Sequence, residues 1–254
     1  MGLTAIDWAA IIGAAAWIPQ IIGWVARKLT VPKVRLVASG APEIGYTTYG
    51  PLFNLTCAIS AERKDAIIER MTVRLEHEKG QVLNLTWSRL HELFSEIRGP
   101  EGTAEVGKNQ QAIALKVGTL LLAERVIGFN DLSFQEQVRS VGAPAAEKLA
   151  FLRQSNESQD DTFRASKEYA DLTGLWERRF SWQEGKYTAT VRIHVLDVAN
   201  ETDVVLRFTL STLDISRLRQ NIVEVKRYQH DLVSDADVEN RYQWQWIYPP
   251  FERT

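Results

Sequence analysis

Short runs in which apolar and polar residues alternate recur along most of the chain, and this alternation restricts the fold more than any other feature. In residues 71–75, 83–87 and 185–195, every second residue is apolar. Such a period of two puts the apolar side chains on one face of a half-buried strand. Many short strands at this spacing favour a sandwich or a barrel. Further strands are expected at residues 34–38, 52–60, 113–117 and 203–211.

Two stretches depart from this pattern and predict helices. In residues 131–180 the apolar residues recur at helical spacing, which predicts an insertion of two or three helices. Ser133 with Glu136 fits a capping box, and Pro144 suits the first turn of the helix that follows. Asp214 is expected to cap a helix over residues 214–232, which carries one apolar stripe. The fold class is therefore mainly β with a helical insertion (α+β).

The entry into the strand at residues 185–195 has the pattern Gly185-Lys186-Tyr187. It resembles the tyrosine corner of Ig-like sandwiches, and this resemblance implies an Ig-like β-sandwich. The cysteine pair of that fold is missing, because Cys57 is the single cysteine of the chain. Cys57 lies in an apolar run and is expected to be a small buried residue.

Residues 6–26 form a nearly continuous apolar stretch. As a helix it would be about 31 Å long, close to the thickness of a bilayer's hydrocarbon core. Trp8 and Trp24 lie near its ends and Arg27 and Lys28 follow it, as is typical of membrane interfaces. We therefore predict a single-pass membrane anchor in residues 1–28 and a β-sandwich domain in residues 29–254. The alternative is a core helix or an oligomer-forming helix. Small residues in the stretch would permit a homo-oligomer through this helix.

The position of the basic residues predicts the side of the membrane. The first seven residues contain no Lys or Arg, whereas Arg27, Lys28, Lys33 and Arg35 follow the apolar stretch. By the positive-inside rule the domain is expected to be cytoplasmic. Four Asn-x-Ser/Thr sequences favour the opposite, lumenal or extracellular, placement. They begin at Asn54, Asn84, Asn156 and Asn200. The absence of disulfides and the charge asymmetry lead us to keep the cytoplasmic prediction.

Candidates for catalysis are few. His91, Glu92 and Glu96 would lie close together on one turn of a helix and could carry out acid–base chemistry, although a solvated helical turn is the simpler interpretation. The sequence contains no phosphate-binding loop and no Gly-x-Ser-x-Gly motif. The spacing of the four histidines fits no metal-binding motif. We therefore expect neither a metal nor another cofactor.

The most unusual composition lies near the C-terminus. In a strand, Tyr242, Trp244, Trp246 and Tyr248 would share one face and offer an aromatic platform for a sugar, a base or a protein partner. The alternative is that these rings complete the hydrophobic core.

These features define three functional hypotheses. The net charge of −2 supplies no overall basic field for nucleic acid. The first hypothesis is a membrane-anchored, non-enzymatic interaction or sensor module with a protein partner. The second is a domain that binds a small molecule or carbohydrate through the aromatic platform. The third is a hydrolase built around His91 and Glu92.

Overall fold

The computed structural model describes residues 30–99, 102–119, 122–154, 159–198, 201–233 and 242–252, together with residues 17, 20 and 23. Apart from those three residues, the predicted anchor lies outside this range, including Trp8, Trp24, Arg27 and Lys28. None of the helices in the described residues has the length and apolar character needed to cross a bilayer.

The described residues form ten strands that belong to one antiparallel sheet. The strands are β1 (Lys33–Ala38), β2 (Glu43–Thr47), β3 (Gly50–Glu62), β4 (Ala66–His77), β5 (Val82–Gly99), β6 (Gly102–Gln111), β7 (Leu115–Val117), β8 (Ala123–Asn130), β9 (Gly185–Val195) and β10 (Thr202–Leu210). The main path through the sheet is β1-β3-β8-β5-β4-β9-β10, with β2 beside β3, β6 beside β5 and β7 beside β4. The predicted mainly β architecture is confirmed.

The sheet bends until it nearly closes into a barrel, and residues 242–252 bridge the remaining gap. We call these residues the closing segment. On one side, Ile247 exchanges two backbone hydrogen bonds with Ile44 of β2, at 2.9 and 3.0 Å. On the other side, the backbone N–H of Glu252 donates to the carbonyl of Arg207 in β10, at 2.8 Å. The closing segment therefore supplies backbone partners to both open edges.

The predicted Ig-like sandwich is not confirmed, because the strands form one curled sheet rather than two facing sheets. The local tyrosine corner is nevertheless present. The hydroxyl of Tyr187 accepts from the backbone N–H of Gln183 at 2.9 Å and donates to the carbonyl of the same residue at 3.2 Å. A corner of this kind fixes the chain as it enters β9. It does not by itself determine how the strands are arranged.

Four helices are described: α1 (Leu132–Gln154), α2 (Gln159–Arg164), α3 (Lys167–Arg178) and α4 (Thr212–Val233). Helix α1 follows the end of β8, α3 leads into β9, and α4 follows the end of β10. Those strand ends lie at the same end of the barrel, because Asn130 pairs with Leu52 near the start of β3 and Leu210 pairs with Gly185. We call this the capped end. The predicted helical insertion is confirmed.

The helices begin at different residues from those predicted. Asp131 caps α1, since its Oδ1 accepts from the backbone N–H of Ser133 at 2.9 Å and of Phe134 at 3.2 Å. The predicted role of Pro144 is wrong, because α1 is continuous and Pro144 lies inside it. In α4 the cap is Ser211, whose Oγ accepts from the N–H of Asp214, while Asp214 Oδ2 accepts from the N–H of Ser211. Ser211 and Asp214 thus form a reciprocal capping box, and the helix starts before Asp214.

The barrel interior and the capped end share one hydrophobic core. Leu55 and Cys57 of β3 and Ile127 of β8 point inward, and Leu218 of α4 packs into the same cluster. Cys57 is 2% exposed, as its sequence context predicted. Burial raises the pKa of its thiol to about 12, because the thiolate would lose its hydration.

Candidate functional site

A groove of about 460 Å³ crosses the outer face of the barrel, where the closing segment stands above the strands. Strands β2, β3, β8 and β5 form its floor. We call it the outer groove. Its lining residues are Ala41, Glu43, Asn54, Thr56, Arg89, His91, Val126, Gly128, Trp246 and Tyr248.

Strand register brings the floor residues together from distant parts of the sequence. Glu43 pairs with Asn54 and Asn54 pairs with Gly128. Gly128 in turn pairs with Arg89 of β5. These four residues therefore form one row across four strands, which spans about 14 Å at a strand spacing of about 4.8 Å. In the next row, Val126 lies between Thr56 and His91.

Gly128 accounts for the depth of the outer groove at the middle of the first row. It is an outward-facing position without a side chain. A Cβ placed there would lie 3.1 Å from Oδ1 of Asn54 and 3.4 Å from the Cβ of Arg89. Any larger side chain would occupy the space between these two residues, so glycine keeps the floor open.

The closing segment forms one wall with two aromatic rings. The ring of Trp246 lies directly on Gly45 of β2, where an added Cβ would overlap with it. Tyr248 is 60% exposed, and its hydroxyl donates to Oε1 of Glu43 at 2.9 Å. Partial burial and the Glu43 carboxylate raise the pKa of Tyr248, so its hydroxyl stays protonated and keeps donating.

The carboxylate of Glu43 is already bound on both oxygens. Its Oε2 accepts from Nδ2 of Asn54 at 2.7 Å, in addition to the Tyr248 contact on Oε1. Two donors on a carboxylate compensate part of its charge and fix its orientation. Glu43 therefore holds the wall and the floor together.

Arg89 stands at the opposite end of the row from Glu43. Its guanidinium carbon lies 5.5 Å from the ring centroid of Tyr49, within the range of a cation–π contact. Among the described residues, no carboxylate forms an ion pair with Arg89. The two ends of the row thus differ electrostatically, with a compensated carboxylate at one and an uncompensated guanidinium at the other.

A buried asparagine of α4 holds the closing segment in place. Asn221 is fully buried, and its Nδ2 donates to the carbonyl of Gln245 at 2.8 Å. The backbone N–H of Gln245 donates to Oδ1 of Asn221 at 2.7 Å. This pair of bonds resembles a strand ladder in which a side chain replaces one strand. It positions Trp246, the next residue.

The four aromatic residues predicted as one platform fall in two places. Trp246 and Tyr248 line the outer groove. Tyr242 instead lies against α4, with its ring 5.3 Å from that of Tyr228 and its hydroxyl donating to Asp231 at 2.9 Å. Trp244 packs against the core cluster. A ligand-binding role for any of them remains a prediction.

The helical interpretation of His91, Glu92 and Glu96 is wrong, because these residues belong to strand β5. The relation between residues four apart on a helix, on which the catalytic hypothesis depended, is therefore lost. The alternation is interrupted by an irregularity between Leu93 and Ser95, which explains why the strand was not recognised. His91 lines the outer groove, close to two of the predicted aromatic residues.

The other histidines have structural partners. His77 is buried, and its Nε2 lies 2.9 Å from the carbonyl of Glu184 while its Nδ1 accepts from the N–H of Lys79. Nδ1 of His194 lies 2.9 Å from Glu201. In the part of the chain that the structure describes, no three His, Cys, Asp or Glu residues lie together as metal ligands would.

Glu43, Arg89 and Gly128 were not predicted from the sequence, and Asn54 was predicted only as the start of a glycosylation sequence. The amide nitrogen to which a glycan would attach is the donor to Glu43. No local pattern marks these four residues as parts of one site. Only the pairing of strands far apart in sequence brings them together.

Comparison with known proteins identifies no family. No family model and no curated protein matches the chain. One solved structure with a similar arrangement is a family 123 glycoside hydrolase from Clostridium perfringens, at 8% sequence identity and a TM-score of 0.34. The match covers 72% of this chain and 28% of that one. A score this low does not establish a common fold, so nothing is transferred from that enzyme.

Proposed function

We propose that this chain is a ligand-binding module, held at a membrane by residues 6–26, and that its ligand is a saccharide carrying a carboxylate. The observation behind this proposal is the outer groove, which has two aromatic rings on one wall and an uncompensated guanidinium at the other end of its floor. Its volume of about 460 Å³ lies within the range of about 300–1,000 Å³ usual for small-molecule sites.

The aromatic wall suits the apolar face of a sugar ring. Trp246 and Tyr248 offer flat apolar surface beside polar groups, a combination found where one side of a ligand is apolar and its edges are polar. Thr56, Asn54 and His91 supply hydrogen-bonding groups along the floor. A ligand with a ring and several hydroxyl groups matches both sets.

Arg89 favours a negative charge on that ligand. A guanidinium binds a carboxylate through two parallel hydrogen bonds, and hydrogen bonds between charged groups are about twice as strong as neutral ones. The nearest carboxylate of the row, Glu43, is held at the far end by Tyr248 and Asn54. A ligand carboxylate near Arg89 would therefore gain a partner without displacing one.

The test compares two disaccharides in calorimetric titrations of the full chain in lipid nanodiscs. One is glucuronosyl-glucose and the other is its all-glucose counterpart. The acidic disaccharide is expected to bind about tenfold more tightly, the size of one charge-assisted hydrogen bond. Arg89→Gln should remove that preference and leave the binding of the neutral sugar unchanged.

Two further variants locate the binding. Tyr248→Ala should weaken both disaccharides, because it removes the exposed ring of the wall. The matched control is Phe151→Ala on α1, which removes a ring of similar exposure, 65%, outside the outer groove and should change neither affinity. Absence of saturable binding by both sugars, or an equal effect of the two alanine variants, would contradict the proposal.

A further inference from the structure

The two ends of the barrel differ, and the chain enters at the end opposite the helices. Lys33, the first residue of β1, pairs with Glu62, the last residue of β3. The last residue of β9, Val195, pairs with Ile68 near the start of β4. Residues 30–32, the β3–β4 connection and residues 196–198 after β9 therefore lie together. We call this the entry end.

The entry end exposes apolar side chains from three separate segments: the residues before β1, the start of β4 and the connection after β9. Val31 is 52% exposed, and Ile67 and Leu196 are each 43% exposed. All three line a shallow depression of about 290 Å³. Because they come from distant parts of the sequence, the fold brings these apolar groups to one surface. Exposed apolar groups that lie together and are surrounded by polar residues are typical of surfaces that contact a protein or a membrane.

Basic side chains surround this patch. Lys33, Arg63 and Lys64 are exposed and form no ion pair with a described residue. Two nearby acidic groups are compensated, since Asp65 lies 3.7 Å from Lys116 and Glu62 lies 2.6 Å from Arg35. Asp197 and Glu124 are also exposed, and their negative charges offset part of the positive charge of the three basic residues.

The length of the linker limits the position of any membrane. Four residues lie between Ala26, the end of the apolar stretch, and Val31, so that five Cα–Cα steps join the two. Fully extended, they reach at most about 18 Å. If residues 6–26 cross a bilayer, the entry end must lie within this distance of its surface, whereas the capped end lies about 33 Å further away along the strands.

We propose that the entry end docks on the surface of the membrane that holds residues 6–26, with Val31, Ile67 and Leu196 at the headgroup level and Lys33, Arg63 and Lys64 against anionic lipid. The exposed apolar groups, the surrounding cations and the short linker all favour the same partner. This inference does not depend on the outer groove. It gives the domain a fixed orientation, with its barrel axis along the membrane normal and the helices away from the lipid.

The buried thiol of Cys57 makes the test simple, because a thiol reagent will label only an added cysteine. Ile67→Cys and Lys64→Cys report on the entry end, and Leu213→Cys, an exposed position just after β10, is the matched control. Each variant of the full chain is labelled with a fluorophore and reconstituted in phosphatidylserine-containing nanodiscs. Quenching is then measured with a quencher attached to the lipid headgroups.

We expect strong quenching at positions 64 and 67 and none at position 213. The double variant Arg63→Glu with Lys33→Glu should shift the docking equilibrium by about fivefold for each cation removed, read as reduced quenching at position 67. Equal quenching at positions 67 and 213 would overturn the proposal. So would an unquenched label at position 67, whether the full chain stays in the membrane or fails to associate with it.

Discussion

The molecule contains two sets of aromatic residues that look alike in the sequence and differ in the structure. The cap set, Tyr46, Phe134, Trp176 and Trp182, is fully buried where the helices meet the barrel. The wall set, Trp246 and Tyr248, faces the outer groove. In the cap set, polar side-chain atoms bind backbone carbonyls inside the protein. The Tyr46 hydroxyl donates to the carbonyl of Trp176 at 2.7 Å. Nε1 of Trp182 donates to the carbonyl of Gly45 at 3.1 Å.

An aromatic residue can therefore be assigned a role from the burial of its ring and the partner of its polar atom. A ring that is buried, and whose polar atom forms a hydrogen bond within the protein, contributes to stability. A ring with an exposed face beside unsatisfied polar groups is available to a ligand. Gly45 lies between the two sets. Its carbonyl accepts a hydrogen bond from Nε1 of Trp182, and the ring of Trp246 packs against its Cα.

The largest effect is expected from Trp176→Ala in the cap set. This ring is fully buried and lies 5.9 Å from that of Phe134 in an edge-to-face contact. Its removal should lower the free energy of unfolding by about 3–5 kcal/mol. Chemical denaturation measures this, with Phe151→Ala as the exposed control. A loss of less than about 1 kcal/mol would show that the helices are not part of the cooperative core.

A smaller loss is expected from Tyr46→Phe, which keeps the ring and removes one hydroxyl. The carbonyl of Trp176 would lose its donor inside the core. Leaving such a group unsatisfied should cost about 1–3 kcal/mol in the free energy of unfolding. The same denaturation experiment measures it. An unchanged free energy of unfolding would mean that water reaches this carbonyl and that the cap set is not fully enclosed.

The stability of the fold is expected to depend on pH through Cys57, which faces inward from β3. Burial raises the pKa of the Cys57 thiol to about 12, well above the value near 9 of an exposed thiol. Above about pH 9 the unfolded chain loses the thiol proton while the folded chain keeps it, so the stabilising contribution is complete below pH 9 and declines toward pH 12. We expect the melting temperature to fall between about pH 9 and pH 12. In Cys57→Ala the fall should be shallower, and an identical slope in both proteins would contradict this assignment.

The smallest effect on stability is expected in the wall set. Tyr248→Ala removes a mostly exposed ring and one hydrogen bond to Glu43. The free energy of unfolding should change by no more than about 0.5 kcal/mol, as at most surface positions. Saccharide affinity should nevertheless fall. A loss of stability comparable to that of Tyr46→Phe would place Tyr248 among the structural aromatics.

The sequence predicted local structure well where the alternation was regular. Strand β9 has the bounds that the pattern of residues 185–195 indicated, and the apolar stripe of α4 is buried at Leu218 and Val225. At residues 91–96 the irregularity in β5 hid the strand. Charged and polar residues there fitted a helix turn equally well.

The outer groove could be predicted only in part. Trp246, Tyr248 and His91 were singled out by residue type, although not as neighbours. The row of Glu43, Asn54, Gly128 and Arg89 depends on the pairing of β3 with β8 and of β8 with β5. These pairings join residues more than 30 positions apart, and no local periodicity encodes which strands meet. The same reason explains why one curled sheet replaced the expected sandwich.

We expect the ligand to bind at the outer groove and not at the enclosed cap. The chain has eight tryptophans, and each indole N–H gives its own signal in a proton–nitrogen correlation spectrum. Titration of the full chain with glucuronosyl-glucose should shift the signal of Trp246 and leave those of Trp176 and Trp182 unchanged. A shift confined to Trp176 or Trp182, or no shift at Trp246 at saturating sugar, would contradict the account.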